Sequence, residues 1–340
     1  MINIAWFVVL FCMLAGYAVL DGFDLGVGAL HLVLPRNELE RELSINAIGP
    51  VWNGNEVWLI AAGGSLIAAF PTVYASSFSG FYLALMIVLW LLVFRGLGIE
   101  FRHQIDHPLW HQAWDAAFCG ASVLLALLFG VAFGNVLRGL PLDPGGQFQG
   151  TFALMLNPFA IIAGVLSLVV LCLHGASYLA MKTAGPLQLR ARALVGPLWW
   201  ALVVMIVATI GGSMAVRPDF ARNFARWPML DALPLVTVVT LTLIRVFWAR
   251  AKDTKMFAAS AATIVGLLGS AAAGLFPRLL PTRYGSTFDG LDIYNAASPA
   301  SSLRISLAIY LTGMAIVVMY MINAYRVWGG KVTQNHKYKI

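Results

Sequence analysis

Long apolar runs separated by short polar connections make up this chain. Nine runs stand out, at about 4–30, 51–70, 78–97, 114–137, 158–181, 192–215, 232–248, 256–276 and 303–328. A helix of about 20 residues crosses a hydrocarbon core of roughly 30 Å, so each run has about the length of one crossing. The pattern predicts an all-α integral membrane protein of about nine transmembrane helices, forming a single transmembrane helical domain over 1–340. The connections are short. The longest, from about Pro277 to Ser302, is rich in Pro, Gly, Ser and Asp and cannot hold a catalytic domain. No strong internal repeat is present. The opening residues Met1 to Trp6 carry no basic leader, and no small-residue cleavage site follows the first run. That run is therefore expected to be a retained span and not a removed signal peptide.

Composition agrees with this reading. Apolar residues make up 60% and charged residues 11% of the chain, against about 25% charged in soluble domains. The net charge of +7 does not point to nucleic acid, because no basic stripe with interleaved aromatics lies outside the runs. Instead, cations collect in alternate connections. Arg36, Arg41, Arg95, Arg102, Lys182, Arg190, Arg192, Arg250, Lys252, Lys255, Arg326, Lys331, Lys337 and Lys339 fall on one side, fourteen in all; Arg138, Arg217, Arg222, Arg226, Arg278 and Arg283 make six on the other. Cytoplasmic loops carry the excess of Lys and Arg, so the N-terminus is expected outside (periplasmic) and the C-terminus in the cytoplasm. Cys12, Cys119 and Cys172 all lie in apolar runs, without metal-type spacing, and are expected to be small buried hydrophobes.

Ionisable groups inside a span are costly and are functional candidates for that reason. The first set is Asp21-Gly22-Phe23-Asp24-Leu25-Gly26-Val27-Gly28. Asp21 and Asp24 are three apart and share a helix face. The three glycines admit a second helix at close range. A solvated helix end is the bland alternative, but apolar residues continue to Leu34 before Pro35 and Arg36. Two neighbouring carboxylates do not both ionise readily, which suits a proton relay. The second set opens the next span: Trp52-Asn53-Gly54-Asn55-Glu56-Val57-Trp58. Glu56 and Asn53 share a face one turn apart, and the alternating topology puts Glu56 at a depth similar to the aspartates. Trp52 and Trp58 also suit interfacial anchors. The third set is Arg95, Glu100 and Arg102, which could balance the charge of these acids or be an ordinary basic loop. Among the histidines, His103, His107 and His111 are spaced by four but interrupted by Pro108, and His31 stands at a helix end. His174 alone lies well inside a span, where packing against a neighbouring helix is expected in preference to haem ligation. The chain shows no phosphate loop, nucleophile triad or zinc signature. Proton-handling groups without a catalytic centre suggest either a proton-coupled transporter or one subunit of a larger redox machine.

The ordered motifs Asp21 to Gly28, Trp52 to Trp58, Phe81-Tyr82, Phe94-Arg95, Gly130 to Asn135, Leu156 to Phe159, Gly175 to Leu179 and Ile293 to Ala296 resemble subunit II of the cytochrome bd family of quinol oxidases. The likeness is closest over the first 185 residues; beyond them it rests on span count and on Phe276-Pro277 and Tyr294-Asn295. It extends to the branch often termed cyanide-insensitive. This resemblance implies a bacterial inner-membrane complex that reduces dioxygen to water with electrons from a membrane quinol. It also implies a partner, subunit I, that carries the b and d haems. Subunit II itself binds no haem and no metal, and contributes to proton uptake from the cytoplasm. Some members add a structural quinone, small accessory subunits, or a route for oxygen, to which Trp58 corresponds. Where some members carry an aspartate proposed to move protons, this sequence has Asn53. Glu56, one turn later, is expected to take over that role, with Asn53 ordering water. An autonomous transporter remains the rival reading, and a purely structural scaffold is a third.

Overall fold

The computed structural model describes residues 1–332; Lys337 and Lys339, counted above, lie outside the described residues. Among the described residues, eleven helices of ten residues or more follow one another. They are α1 (Ile2–Ala29), α2 (Glu38–Ile48), α3 (Trp52–Ala69), α4 (Pro71–Gly80), α5 (Tyr82–Phe101), α6 (Pro108–Arg138), α7 (Pro158–Lys182), α8 (Gly185–Val216), α9 (Ala232–Ala249), α10 (Asp253–Leu275) and α11 (Ala300–Val327). Among the described residues, eight (α1 and α5 to α11) are long and apolar enough to cross a membrane. α3 runs between the same two ends but is less apolar, because its first turn carries Asn53, Asn55 and Glu56.

Two ends are distinct. At the α2 end, Arg102 meets Glu38, Arg190 meets Glu40, Arg192 meets Asp253, and Lys182 donates to the Trp328 carbonyl. Burial raises the Glu40 carboxyl, but hydrogen bonds from the Arg190 guanidinium and the Arg36 amide outweigh it and hold the group below its ordinary range. At the other end a short antiparallel hairpin, β1 (Arg278–Pro281) and β2 (Gly290–Asp292), covers the helix ends. There Arg217 donates to the Leu137 and Thr282 carbonyls, Arg278 pairs with Asp219, and Asn3 donates to the Ile293 carbonyl. The connections expected on one side thus meet at one end, and those of the other set at the opposite end.

α7 is the central helix. It packs against α1, α6, α8 and α10. Helices in lipid gain little from hydrophobic burial against one another, so close van der Waals fit decides the contact. The α1–α7 crossing shows why the glycines are there. A Cβ on Gly26 would stand 1.9 Å from the Leu171 carbonyl oxygen, and one on Gly175 would stand 2.3 Å from the Gly26 carbonyl carbon. Phe23 stacks on Tyr178 at 4.0 Å beside this crossing, and Tyr178 Oη donates to the Ala47 carbonyl.

Three expectations shift. The run at 78–97 is broken at Phe81, and α5 begins at Tyr82 and continues to Phe101. A separate amphipathic turn, α4, takes up the polar Ser76, Ser77 and Ser79 and packs Val73 inward. Arg95, counted above with the connections, lies inside α5, Arg102 caps its C-terminal end, and both are buried. Without Arg95 and the two undescribed lysines, eleven cations remain at the α2 end against six at the other, and the excess keeps its sign. Finally, Cys12 is exposed, since it sits on the outward face of α1, whereas Cys172 is buried and Cys119 is half-buried.

Candidate functional site

Asp21 and Asp24 are fully buried on α1. Arg95 of α5 reaches Asp21 with both terminal nitrogens: Nη1 donates to Oδ2 and Nη2 to Oδ1, each at 2.7 Å. This bidentate fork suits a guanidinium and no other cation. Nη2 also lies 3.6 Å from Glu56 Oε2. Asp24 is held differently. Asn55 of α3 donates its amide to Asp24 Oδ2 at 2.7 Å and accepts from Tyr325 Oη at 2.8 Å. One guanidinium therefore faces two carboxyl groups, with the third held by an amide. Asp24 Oδ1 has no protein partner, and neither do Tyr17 Oη, Arg95 Nε or the indole nitrogens of Trp52 and Trp58. A buried polar atom without a partner is costly, and in native proteins such atoms are satisfied by ordered water.

The predicted residues divide accordingly. Asp21, Asp24, Glu56 and Arg95 come together. Glu56 is the accessible member, its side chain 22% exposed where Arg95 is 1%. Asn53 does not join them; it is exposed, and the buried asparagine is Asn55. Two residues along a helix turn the side chain by about 200°, so only one of the two asparagines can face α1. Glu100 has no ion pair among the described residues and Arg102 points elsewhere, so Arg95 alone balances the aspartates. Trp58 is half-buried with its ring edge against Gly16 of α1, where a Cβ would stand 2.3 Å from it.

A second buried charge cluster sits at the α2 end. Asp115 of α6 accepts from Arg102 Nε at 2.6 Å, pairs with His31 Nε2 at 2.7 Å, and lies 3.3 Å from Arg41 Nη1. Arg102 Nη2 also reaches Glu38 at 2.5 Å, and His111 Nδ1 lies 3.1 Å from that same carboxylate. Sequence reasoning missed Asp115 and Glu38 as partners; the available signal was a lone aspartate in the first turns of an apolar run. The three spaced histidines do not share a helix face. His103 precedes α6, His107 caps it by accepting from the Leu109 amide, and only His111 is helical. Among the described residues no group of three His, Cys, Asp or Glu side chains could hold a metal ion.

His174 is buried on α7. Nε2 donates to the Val19 carbonyl at 3.0 Å and Nδ1 pairs with Ser260 Oγ at 2.7 Å, while the ring stacks on Phe257 at 4.7 Å. Both nitrogens are engaged within the protein, so the ring does not fit axial ligation of a haem. It ties α7 to α1 and α10.

Comparison with known proteins gives the setting of these clusters. A family model described as cytochrome bd terminal oxidase subunit II matches residues 2–328. A probable cytochrome oxidase subunit 2 of Haemophilus influenzae is 36% identical, over 97% of this chain and 95% of its own. The cytochrome bd-I ubiquinol oxidase subunit 2 of Escherichia coli K12 is 36% identical (95% and 92%), and the cytochrome bd ubiquinol oxidase subunit 2 of Bacillus subtilis 33% (96% of each). In fold, the chain is similar to one in the bd oxidase structure from Geobacillus thermodenitrificans, with a TM-score of 0.80 at 15% identity over 96% of this chain and 98% of that one. The long apolar helices, the family model spanning almost the whole length and the near-full-length relatives lead to one conclusion: the chain belongs to the cytochrome bd terminal oxidase subunit II family, as a multi-pass protein of the bacterial inner membrane.

Proposed function

We propose that the chain is the haem-free subunit of a quinol:oxygen oxidoreductase and helps to bring protons from the cytoplasm to the site of dioxygen reduction. The observation that carries this reading is the coupling of a half-buried Glu56 to the buried Asp21 through one arginine, with Asp24 one turn further along the same helix. In this arrangement Arg95 neutralises Asp21. Glu56, at the accessible edge, exchanges a proton with the partner subunit or with water. Asp24 holds a proton at its free Oδ1. Asn55 fixes the Asp24 carboxyl. The b and d haems of the partner subunit supply the chemistry on dioxygen; membrane quinol, lipid, small accessory subunits and a structural quinone would be further components of such a complex. The proposed topology has nine crossings, α3 included, with the N-terminus outside and the α2 end in the cytoplasm, because the excess of basic residues lies there. An autonomous transporter is not favoured, since the near-full-length relatives are oxidase subunits.

The test is oxygen consumption with a quinol donor by the purified complex carrying Glu56→Gln. Turnover is expected to fall by about tenfold or more with complex yield unchanged, a barrier rise of about 1.4 kcal/mol per decade. Unchanged turnover would leave the acids a scaffolding role only. A companion variant, His174→Gln, is expected to leave the haem absorption bands of the complex intact; their loss would show that the ring serves a haem after all.

A further inference from the structure

A cleft opens at the α2 end beside the carboxylate cluster. It has a volume of about 130 Å³ and is lined by Asn46, Val51, Tyr178, Lys182, Tyr325 and Lys331, among others. Water takes roughly 30 Å³ per molecule, so several molecules fit. The cleft has a polar floor. Tyr325 Oη, on its wall, donates to Asn55 Oδ1, and Asn55 Nδ2 donates to Asp24 Oδ2. Two side chains therefore separate the cleft from a buried carboxyl whose second oxygen has no partner. One side of the outer rim is held by a latch. Lys182, at the end of α7, donates to the Trp328 and Gly330 carbonyls, Lys331 Nζ returns a bond to the Thr183 carbonyl, and the Val332 amide donates to the Lys182 carbonyl. Apart from this latch, α11 has little holding it: it packs mainly on α1 and α3 and buries few side chains.

We propose that this cleft is the mouth through which protons reach Asp24, with the Tyr325–Asn55 pair as its inner gate. The proposal rests on the proton-uptake reading and adds the place of uptake within this chain. An amide does not relay protons cheaply, so Asn55 in its observed bond closes the path. When water takes the place of the Tyr325–Asn55 bond, a hydronium in the cleft meets the Asp24 carboxylate directly. One O–H bond on the hydronium breaks as one forms on the carboxylate, leaving water, and no electrons change hands. Tyr325 is a positioning residue: it holds Asn55 on Asp24. The latch keeps the α11 end, and with it Tyr325, against α3.

The test uses the purified complex with Asn46→Cys, compared with the parent and with Lys252→Cys, an exposed position at the same end. Each is treated with a bulky, membrane-impermeant maleimide and assayed for oxygen consumption with a pre-reduced quinol, with Glu56→Gln measured alongside. Labelled Asn46→Cys is expected to lose turnover several-fold, while the unlabelled variant, the treated parent and labelled Lys252→Cys do not. If the thiol introduced in the cleft reacts fully and turnover holds while Glu56→Gln is slow, the cleft is not the mouth and the broader reading survives. If that thiol fails to react, water does not reach the cleft and the proposal falls. If neither the label nor Glu56→Gln slows turnover, both readings fall together.

Discussion

Replacing Asp21 by Asn is expected to destabilise the protein by about 3–5 kcal/mol, the usual cost of removing one partner from a buried ion pair. The pair is fully enclosed, at 1% exposure for the Arg95 side chain and 0% for Asp21, and both guanidinium nitrogens depend on it at 2.7 Å. Asparagine has the right shape but offers one acceptor and no charge, so the cation stays in a low-dielectric site without its counter-charge. Glu56, at 3.6 Å and partly exposed, is too far and too wet to replace it. The measurement is the thermal midpoint and yield of the assembled complex, which do not depend on turnover. Arg95→Leu should be at least as severe, because it leaves the buried Asp21 carboxylate, and Glu56 beside it, with no cation. The double variant Asp21→Leu with Arg95→Leu should recover much of the loss, since hydrophobic replacement of an entire buried pair is often neutral. An Asp21→Asn complex with the parent's midpoint and yield would show that the pair contributes nothing.

The second large effect is expected at the α1–α7 crossing. A methyl group on Gly26 would overlap backbone atoms, with the Leu171 carbonyl oxygen at 1.9 Å and the Gly175 nitrogen at 2.9 Å. Backbone cannot step aside as a side-chain tip can, so the helices must part. Overpacking commonly costs about 1–3 kcal/mol, and contacts this short put Gly26→Ala and Gly175→Ala at or above the upper figure. The shift would also carry Asp24, two residues away, off Asn55. Loss of assembled complex is the expected outcome on a native gel or by size exclusion. Gly63→Ala and Gly64→Ala are the matched controls, because a Cβ at either meets nothing within 4 Å. Should Gly26→Ala assemble as well as Gly63→Ala, the crossing is looser than described.

Much of the acid cluster is legible from the chain itself. Asp21, Asp24 and Glu56 are anomalous where they stand, because carboxyl groups in apolar runs cost energy that only a partner or a function offsets. The motif glycines are legible for a related reason: small residues beside the acids admit a close helix. Arg95 reads as one more basic residue near the end of a run, since an apolar run does not say which neighbouring helix its side chains will meet, and only the packing of α5 on α1 pairs it with Asp21. The chain alone favours Asn53 over Asn55, because depth along α3 follows from counting residues whereas azimuth depends on where α1 stands. The Asp115, His31, Arg102 and Glu38 cluster draws on the stretch from α1 into α2, the end of α5 and the start of α6, and is invisible for the same reason. The sequence by itself determined the solvent this protein lives in, the all-helical class, the alternation of its ends and the unusual carboxyl groups, because each follows from local polarity read over about one helix length. Only the tertiary structure decided which cation serves which acid, which asparagine faces inward and where a cleft opens, because those depend on the packing of segments far apart in the chain.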